Sequence, residues 1–175
     1  MNCFGLEIHR SDGLCCHHVS TEFANETEDF EDGFGFWATS GSGSWKRYIG
    51  KTPSENTGPS GDHTSGGGYY IYLKSSQYGN YYVRLYRMLA TTSNKCKMHF
   101  SYHMYDDMAT MSSYLRLKIG SSQVFKLWGN QGNQWFTSAN IDVPARVNNW
   151  IIFTGYKGYG SRFEMALDDI VFTNC

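Results

Sequence analysis

No stretch of this 175-residue chain comes near the roughly 18 consecutive apolar residues that a membrane-spanning helix needs. Charge of one sign is missing too. The net charge is -1, so no global field draws the chain to DNA, RNA or an anionic membrane. No cysteine pair has CxxC spacing, which leaves a zinc ribbon or a thioredoxin-like redox site unsupported. There is no GxSxG nucleophile elbow, no glycine loop that would cradle phosphate before a helix, and no zinc-ligand spacing. Sustained helical periodicity is absent, so helical crossovers are not expected. The opening residues, Met1-Asn2-Cys3, lack a basic segment followed by an apolar one. The expectation is therefore that no signal peptide stands here.

What is present points to strands and turns. Aromatic residues make up 17% of the chain, with 13 Tyr and 5 Trp, against 19 Gly and only 3 Pro. Tyr and Trp favour pleated, half-buried surfaces, and Gly favours tight turns. The five cysteines are Cys3, Cys15, Cys16, Cys96 and Cys175; the odd number means that one stays free, pairs between chains or binds something else. Asn25-Glu26-Thr27 is an N-glycosylation sequon, with Asn25 as the acceptor. Sequon and cysteines together lean towards an oxidising, extracellular compartment.

Residues 1–27 stand apart as an N-terminal extension. They hold three of the five cysteines and three of the six histidines (His9, His17, His18), with little periodicity. Cys15-Cys16-His17-His18 resembles a metal-binding tract without a second half; the competing reading is a disulfide from Cys3 to Cys15 or Cys16. Residues 36–68 are rich in Gly, Ser and Thr, but Trp45, Tyr48 and Ile49 need a core, so ordered loops and short edge strands are expected rather than a linker. Strands are predicted over 69–74, 81–88, 96–105, 114–119, 124–128, 135–143, 150–156 and 162–172, most of them bounded by Gly, Asn or Ser. In the third, Cys96, Met98, Phe100, Tyr102 and Met104 share one face, and Lys97, His99, Ser101 and His103 share the other. Many short strands without helices imply an all-β, antiparallel β-sandwich, with a jelly roll as its topology.

Several motifs now fall in a known order: Asp29-Phe30-Glu31; Trp45, then Gly58-Pro59 and Asp62-His63-Thr64; Gly68-Tyr69-Tyr70-Ile71; Cys96 with Phe100-Ser101-Tyr102-His103-Met104; Trp135; Ala166-Leu167-Asp168-Asp169-Ile170; and Cys175. In this order and spacing, residues 28–175 resemble the MAM domain, the extracellular module of meprins, neuropilins and receptor-type tyrosine phosphatases. The family's second cysteine pair matches Cys96 and Cys175, and the resemblance implies a disulfide between them. Its first pair would fall near Glu28 and Gly35, where this chain has no cysteine.

Adjacent strand residues point to opposite faces, so Asp168 and Asp169 are expected to part, with Asp168 turned inward after Met165-Ala166-Leu167. The resemblance makes Glu31 and Asp62 its neighbours. Three converging carboxylates would repel unless a hard cation sat among them, so Glu31, Asp62 and Asp168 are expected to hold a structural Ca2+; the competing reading is that they cap loops through backbone N–H groups. His63 beside Asp62 looks like half a dyad but has no nucleophile, and reads as a loop histidine. His99 and His103 lie about 13 Å apart along a strand, too far for one zinc, and read as solvent-face or interface residues.

By the resemblance, the chain is an extracellular protein-interaction or adhesion module, non-catalytic, secreted or part of a cell-surface ectodomain. It would engage an extracellular protein partner, with another copy of itself as one candidate, and neither nucleic acid nor direct membrane insertion. Tyr81, Arg84, Tyr86, Tyr156 and Tyr159 are the candidate anchors. The alternative is a carbohydrate-binding jelly-roll module, since exposed Tyr and Trp also stack on sugar rings.

Overall fold

The computed structural model describes residues 25–74, 79–105, 112–158 and 163–175. Among them there is no helix. The strands are β1 (Glu26–Glu28), β2 (Ala38–Gly41), β3 (Trp45–Ile49), β4 (Tyr69–Leu73), β5 (Tyr81–Thr91), β6 (Lys97–Tyr105), β7 (Tyr114–Ile119), β8 (Ser122–Trp128), β9 (Gly132–Thr137), β10 (Ile141–Asp142), β11 (Val147–Lys157) and β12 (Glu164–Thr173). The strand expected over 135–143 is broken in two, with Ser138 to Asn140 between β9 and β10 and the Ser138 hydroxyl accepting the Phe100 N–H at 3.1 Å. β1 lies across the junction drawn at residues 27 and 28, pairing Glu26 with Phe172. Cys3, Cys15, Cys16, His9, His17, His18 and Tyr159 lie outside the described residues.

All pairings are antiparallel. Seven strands form one sheet in the order β10-β6-β12-β4-β3, with β1 on β12 and β9 on β6; five form the other in the order β2-β5-β11-β7-β8. The chain passes repeatedly between the sheets, which is the jelly-roll habit. Their inner faces interdigitate. Val83, Leu85, Leu115, Leu117, Ile151 and Phe153 come from the five-stranded sheet. Met98, Phe100, Met104, Met165, Leu167 and Phe172 come from the seven-stranded one. Phe100 meets Phe153 edge-on at 4.8 Å and Phe125 at 5.1 Å between ring centres. These contacts follow from period-2 alternation: Leu115, Leu117 and Ile119 point in while Tyr114, Arg116 and Lys118 point out.

At one end of the core Arg87 of β5 reaches across to Glu26 of β1 with two hydrogen bonds, lying 5.6 Å over Trp37 and 5.3 Å over Phe172. Towards the same end, just past Phe172, Cys96 and Cys175 are joined by a disulfide, with Cα atoms 4.4 Å apart. It ties the residue before β6 to the end of the last strand. The positions of the family's first cysteine pair are also neighbours. A Cβ placed on Gly35 would sit 2.0 Å from Oε2 of Glu28, so the Glu28 carboxyl fills that space. Burial pushes this carboxyl above its ordinary pKa, despite the Phe30 N–H that it accepts at 3.2 Å. That bond helps to hold Phe30, fully buried, at a φ of 60°.

The outer faces of the two sheets differ. Outside the seven-stranded sheet, Tyr70, Tyr72 and Ala166 form a second small cluster with Tyr48 and Trp135. The segment between β3 and β4 closes over it. Tyr70 donates to the Gly50 carbonyl at 2.6 Å, and Trp135 Nε1 donates to the Gly61 carbonyl at 3.0 Å. Glu164, fully buried, accepts from Ser54 at 2.8 Å and Thr57 at 3.0 Å. Here the expectation for His103 fails. It is 1% exposed, packed on Trp135 at 5.7 Å with Nε2 3.2 Å from Asn133, and burial pushes its pKa down to about 4. The alternation placed it on the outer face correctly; the covering by Trp135 and β9 made that face an interior. His99 is half-buried.

Candidate functional site

Two regions carry unusual chemistry: the turn at 62–68, and the outer face of the five-stranded sheet. In the turn, Asp62 folds the backbone around its own carboxylate. Its Oδ1 accepts from Gly68 N at 2.7 Å and Ser65 Oγ at 3.1 Å, and its Oδ2 from Ser65 N at 2.9 Å and Thr64 N at 3.1 Å. Aspartate does this readily, which is why it nucleates turns. Burial alone would raise its pKa, but these donors outweigh burial and hold it below the usual carboxylate value. Glu31 arrives from the β1–β2 loop and accepts Tyr69 N at 2.7 Å. That loop is clamped by Arg47, whose Nε donates to the Phe30 carbonyl at 2.5 Å and whose guanidinium lies 3.3 Å over the Tyr69 ring. Gly68 makes the approach possible. A Cβ there would lie 2.1 Å from Glu31 Oε1 and 3.2 Å from the Asp62 carboxyl carbon.

Asp168 is 1% exposed, buried as expected, but it shares the outer face with Ala166 and lies beneath the 62–68 turn rather than in the core between the sheets. Its Oδ2 accepts His63 N and its Oδ1 accepts Asp169 N, each at 2.9 Å. Burial, with the charges of Asp169 and Asp62 adding to it, pushes its pKa up to about 7 despite those two N–H groups. Asp169 does not point the opposite way, and here strand alternation misled. Its φ is 44° and the register slips between Asp168 and Val171, a bulge that turns both carboxylates towards one turn. Asp169 Oδ2 meets His63 Nδ1 at 2.7 Å and Thr64 Oγ1 at 2.7 Å. His63 is thus engaged by an acid, and its ring lies edge-on to Trp135 at 5.9 Å.

Glu31, Asp62 and Asp168 therefore gather around one turn, with backbone N–H groups capping each. Among the described residues no group of three or more His, Cys, Asp or Glu side chains stands in the arrangement of a metal cage. The donor chemistry nonetheless suits a hard cation: all are carboxylate oxygens, Gly68 leaves Glu31 and Asp62 side by side, and among the described residues no cation pairs with the buried Asp168.

The outer face of the five-stranded sheet is open. Its strands contain no Asp or Glu. Register places side chains in rows across it. Tyr82, Tyr156, Tyr114 and Trp128 form an aromatic row, and Arg84, Thr154, Arg116 and Lys126 form the next. Tyr114 stacks on Tyr156 at 5.0 Å, and Lys126 lies 4.3 Å over Tyr114 and 4.1 Å over Trp128. Further along, Met88 opposes Trp150, which packs on Tyr86 at 6.0 Å. Of the anchors expected from sequence, Arg84, Tyr86 and Tyr156 lie on this face. Tyr81 has the other parity and packs towards the core. Trp128, Arg116, Lys126, Met88 and Trp150 were missed, although alternation from Tyr82 would have reached Met88 directly.

Residues 29–175 match the family model for the MAM domain, meprin/A5/mu. The chain belongs to the MAM family. It is 37% identical over 134 residues to human MAM domain-containing protein 2, covering 74% of this chain and 19% of that protein. It is 34% identical over 137 residues to thyroid hormone-induced protein B of Xenopus laevis, covering 75% of this chain and 20% of the relative. Mouse MAM domain-containing glycosylphosphatidylinositol anchor protein 2 is 31% identical over 137 residues, covering 66% of this chain and 14% of that protein. The chain thus spans about a fifth or less of these relatives. Among solved structures the MAM sandwich is similar to the K1 adhesin domain of Lys-gingipain from Porphyromonas gingivalis, with a TM-score of 0.63 and 16% identity over 87% of this chain and 99% of that one. It is also similar to TmCBM61 bound to β-1,4-galactotriose, with a TM-score of 0.58 and 17% identity over 84% of this chain and 94% of that one. At these identities the likeness is one of fold.

Proposed function

We propose that this MAM domain is a non-catalytic extracellular recognition module that docks a protein partner on the open face of its five-stranded sheet. One observation carries the reading: Met88 and Trp150, opposite each other on the outer face, are large apolar side chains left 44% and 43% exposed beside Tyr86, with no described residue covering them. Clustered exposed aromatics and Met are what binding anchors look like. The extracellular setting is supported by the Cys96–Cys175 disulfide, by the exposed Asn25 sequon, and by relatives named for a glycosylphosphatidylinositol anchor. No helix among the described residues is long and apolar enough to cross a membrane. A second copy of the chain is one candidate partner. It would have to meet this patch off-axis, because a symmetric face-to-face pair would set Arg84, Arg116 and Lys126 against themselves.

In this reading the 62–68 turn is structural. A calcium ion would be held by Glu31, Asp62 and Asp168, and would supply the positive charge that the buried Asp168 lacks. Bound calcium would raise the melting temperature and chelator would lower it, an effect lost in Asp168→Asn. A melting curve indifferent to both removes calcium from the proposal. Sugar recognition is the second reading, favoured by the aromatic row, and the fold shared with TmCBM61 in its galactotriose complex is compatible with it.

The test of docking is to display the chain on beads and measure adhesion to cell-surface protein and to beads bearing the same chain. Saturable adhesion that drops in Met88→Asp and Trp150→Ala, with unchanged melting, is expected. Adhesion unaltered by both variants, or turnover of peptide, ester or glycan panels that disappears in His63→Ala, overturns the reading.

A further inference from the structure

The row of cations on the open face meets no acid among the described residues. Arg84 is on β5, Arg116 on β7 and Lys126 on β8, all at registered positions, with Thr154 of β11 filling the place between the two arginines. Lys118 stands in the adjoining row, opposite Ile152. Among the described residues none of these four cations forms an ion pair. Two polar atoms in the row are buried without any hydrogen-bond partner: Thr154 Oγ1, on a residue only 3% exposed, and Arg116 Nε. Buried donors are ordinarily satisfied, and each one that is not calls for a physical account. Three of the cations are held against rings rather than acids. Arg84 lies 5.0 Å over Tyr82, Arg116 5.7 Å over Tyr114, and Lys126 4.1 Å over Trp128. The rings fix the cations in place without neutralising them.

We propose that this part of the face binds a sulfated polysaccharide, laid across the strands along the Arg84–Thr154–Arg116–Lys126 row. Strands lie about 4.8 Å apart, so Arg84 and Arg116, with β11 between them, are roughly 10 Å apart, and Lys126 is about one strand further on. The row thus offers charge at intervals along a line. A linear polymer bearing repeated anions can follow such a line, whereas a single small anion would meet only one or two of its members. Sulfate oxygens would accept from the guanidinium groups and from the orphaned Thr154 hydroxyl and Arg116 Nε. The neighbouring Tyr82–Tyr156–Tyr114–Trp128 row supplies rings for the C–H faces of the sugars, which an acidic peptide would leave idle. The absence of Asp and Glu from all five strands removes the repulsion that would weaken a polyanion here. The ligand differs from the protein contact proposed for the corner at Met88 and Trp150, and uses other residues of the same face.

The probe is heparin, tested with the whole chain by surface plasmon resonance in rising salt. Dextran serves as the neutral polymer and poly-glutamate as the acidic peptide. Binding to heparin should weaken with salt and should fall about tenfold or more in Arg84→Ala/Arg116→Ala/Lys126→Ala. Lys46→Ala/Lys51→Ala/Lys95→Ala removes the same charge elsewhere and should leave binding within about twofold, a loss of under roughly 0.5 kcal/mol. Thr154→Val, nearly isosteric, should weaken heparin binding without lowering the melting temperature. Met88→Asp should leave heparin binding in place, so failure of the protein-docking reading and failure of this one give different results. Equal loss in both lysine and arginine sets, binding to dextran as tight as to heparin, or poly-glutamate binding as tight as heparin and indifferent to Tyr114→Ala, each overturns the proposal.

Discussion

The two sheets have inner faces of the same kind and outer faces of opposite kinds. Every acid that stands in a strand (Glu26, Glu28, Asp142, Glu164, Asp168 and Asp169) belongs to the seven-stranded sheet, and the five-stranded sheet has none. The first sheet is roofed by the segment between β3 and β4 and by Trp135, and its polar groups are turned into interior chemistry: a buried Glu164, a buried His103, an Asp168 raised to about 7. No described segment covers the second sheet, and its rings and cations remain available. The lesson is a division of labour, in which one sheet contributes stability and the other contributes surface.

The largest test of that division is removal of the staple on the covered sheet. Replacing Cys96 and Cys175 together by Ala opens a cross-link between residues 79 apart. This should cost roughly 4.5 kcal/mol by the loop-entropy relation. Denaturant melts would read it, and a loss under about 1 kcal/mol would mean that the sheet holds its last strand by packing alone. Next comes a matched pair of aromatic truncations. Tyr70→Ala, beneath the roof, should cost about 3 kcal/mol, while Trp150→Ala, on the bare face, should stay below about 1. Equal losses would break the comparison, for the bare face would then be part of the folding core.

The smallest effect is in pH, and it comes from two groups on the covered sheet that oppose each other. His103 has its folded pKa depressed from 6.5 to about 4. As pH falls through that window the unfolded chain takes up a proton that the folded one refuses, so stability is lost on acidification. Asp168 has its folded pKa raised from 3.8 to about 7. Between those values the folded chain holds the extra proton, so stability is gained on acidification and lost as pH rises. Between about pH 4 and 6.5 the slopes, about 1.4 kcal/mol per pH unit each, nearly cancel. In chelator, the parent chain should therefore melt at a nearly constant temperature across this window. Asp168→Asn should become less stable with acid, and His103→Gln more stable. Parallel curves for all three proteins would show that neither group titrates as its surroundings dictate.

Much of this was legible in the chain. Period-2 alternation and turn residues placed most of the long strands, because side-chain direction in a strand is local geometry. The motif order marked the family and the Cys96–Cys175 pair, and Asp168 was expected to be buried from its place beside Ala166. Alternation also put His103 on the outer side of β6; the same rule, not applied to β5, would have separated Arg84, Tyr86 and Met88 from the core-facing Tyr81. Other features depended on contacts between distant segments. Whether an outer face is roofed is set by where β9 and residues 50–68 return, so His103 became interior under Trp135 while Trp150 remained exposed. The bulge after Asp168 reversed the expected direction of Asp169, since an unpaired residue cannot be seen in a single strand's pattern. The cation row is the clearest case. Arg84, Arg116 and Lys126 are far apart in sequence, and only the register of β5, β11, β7 and β8 lines them up, because hydrogen-bonded pairing fixes which side chains stand side by side.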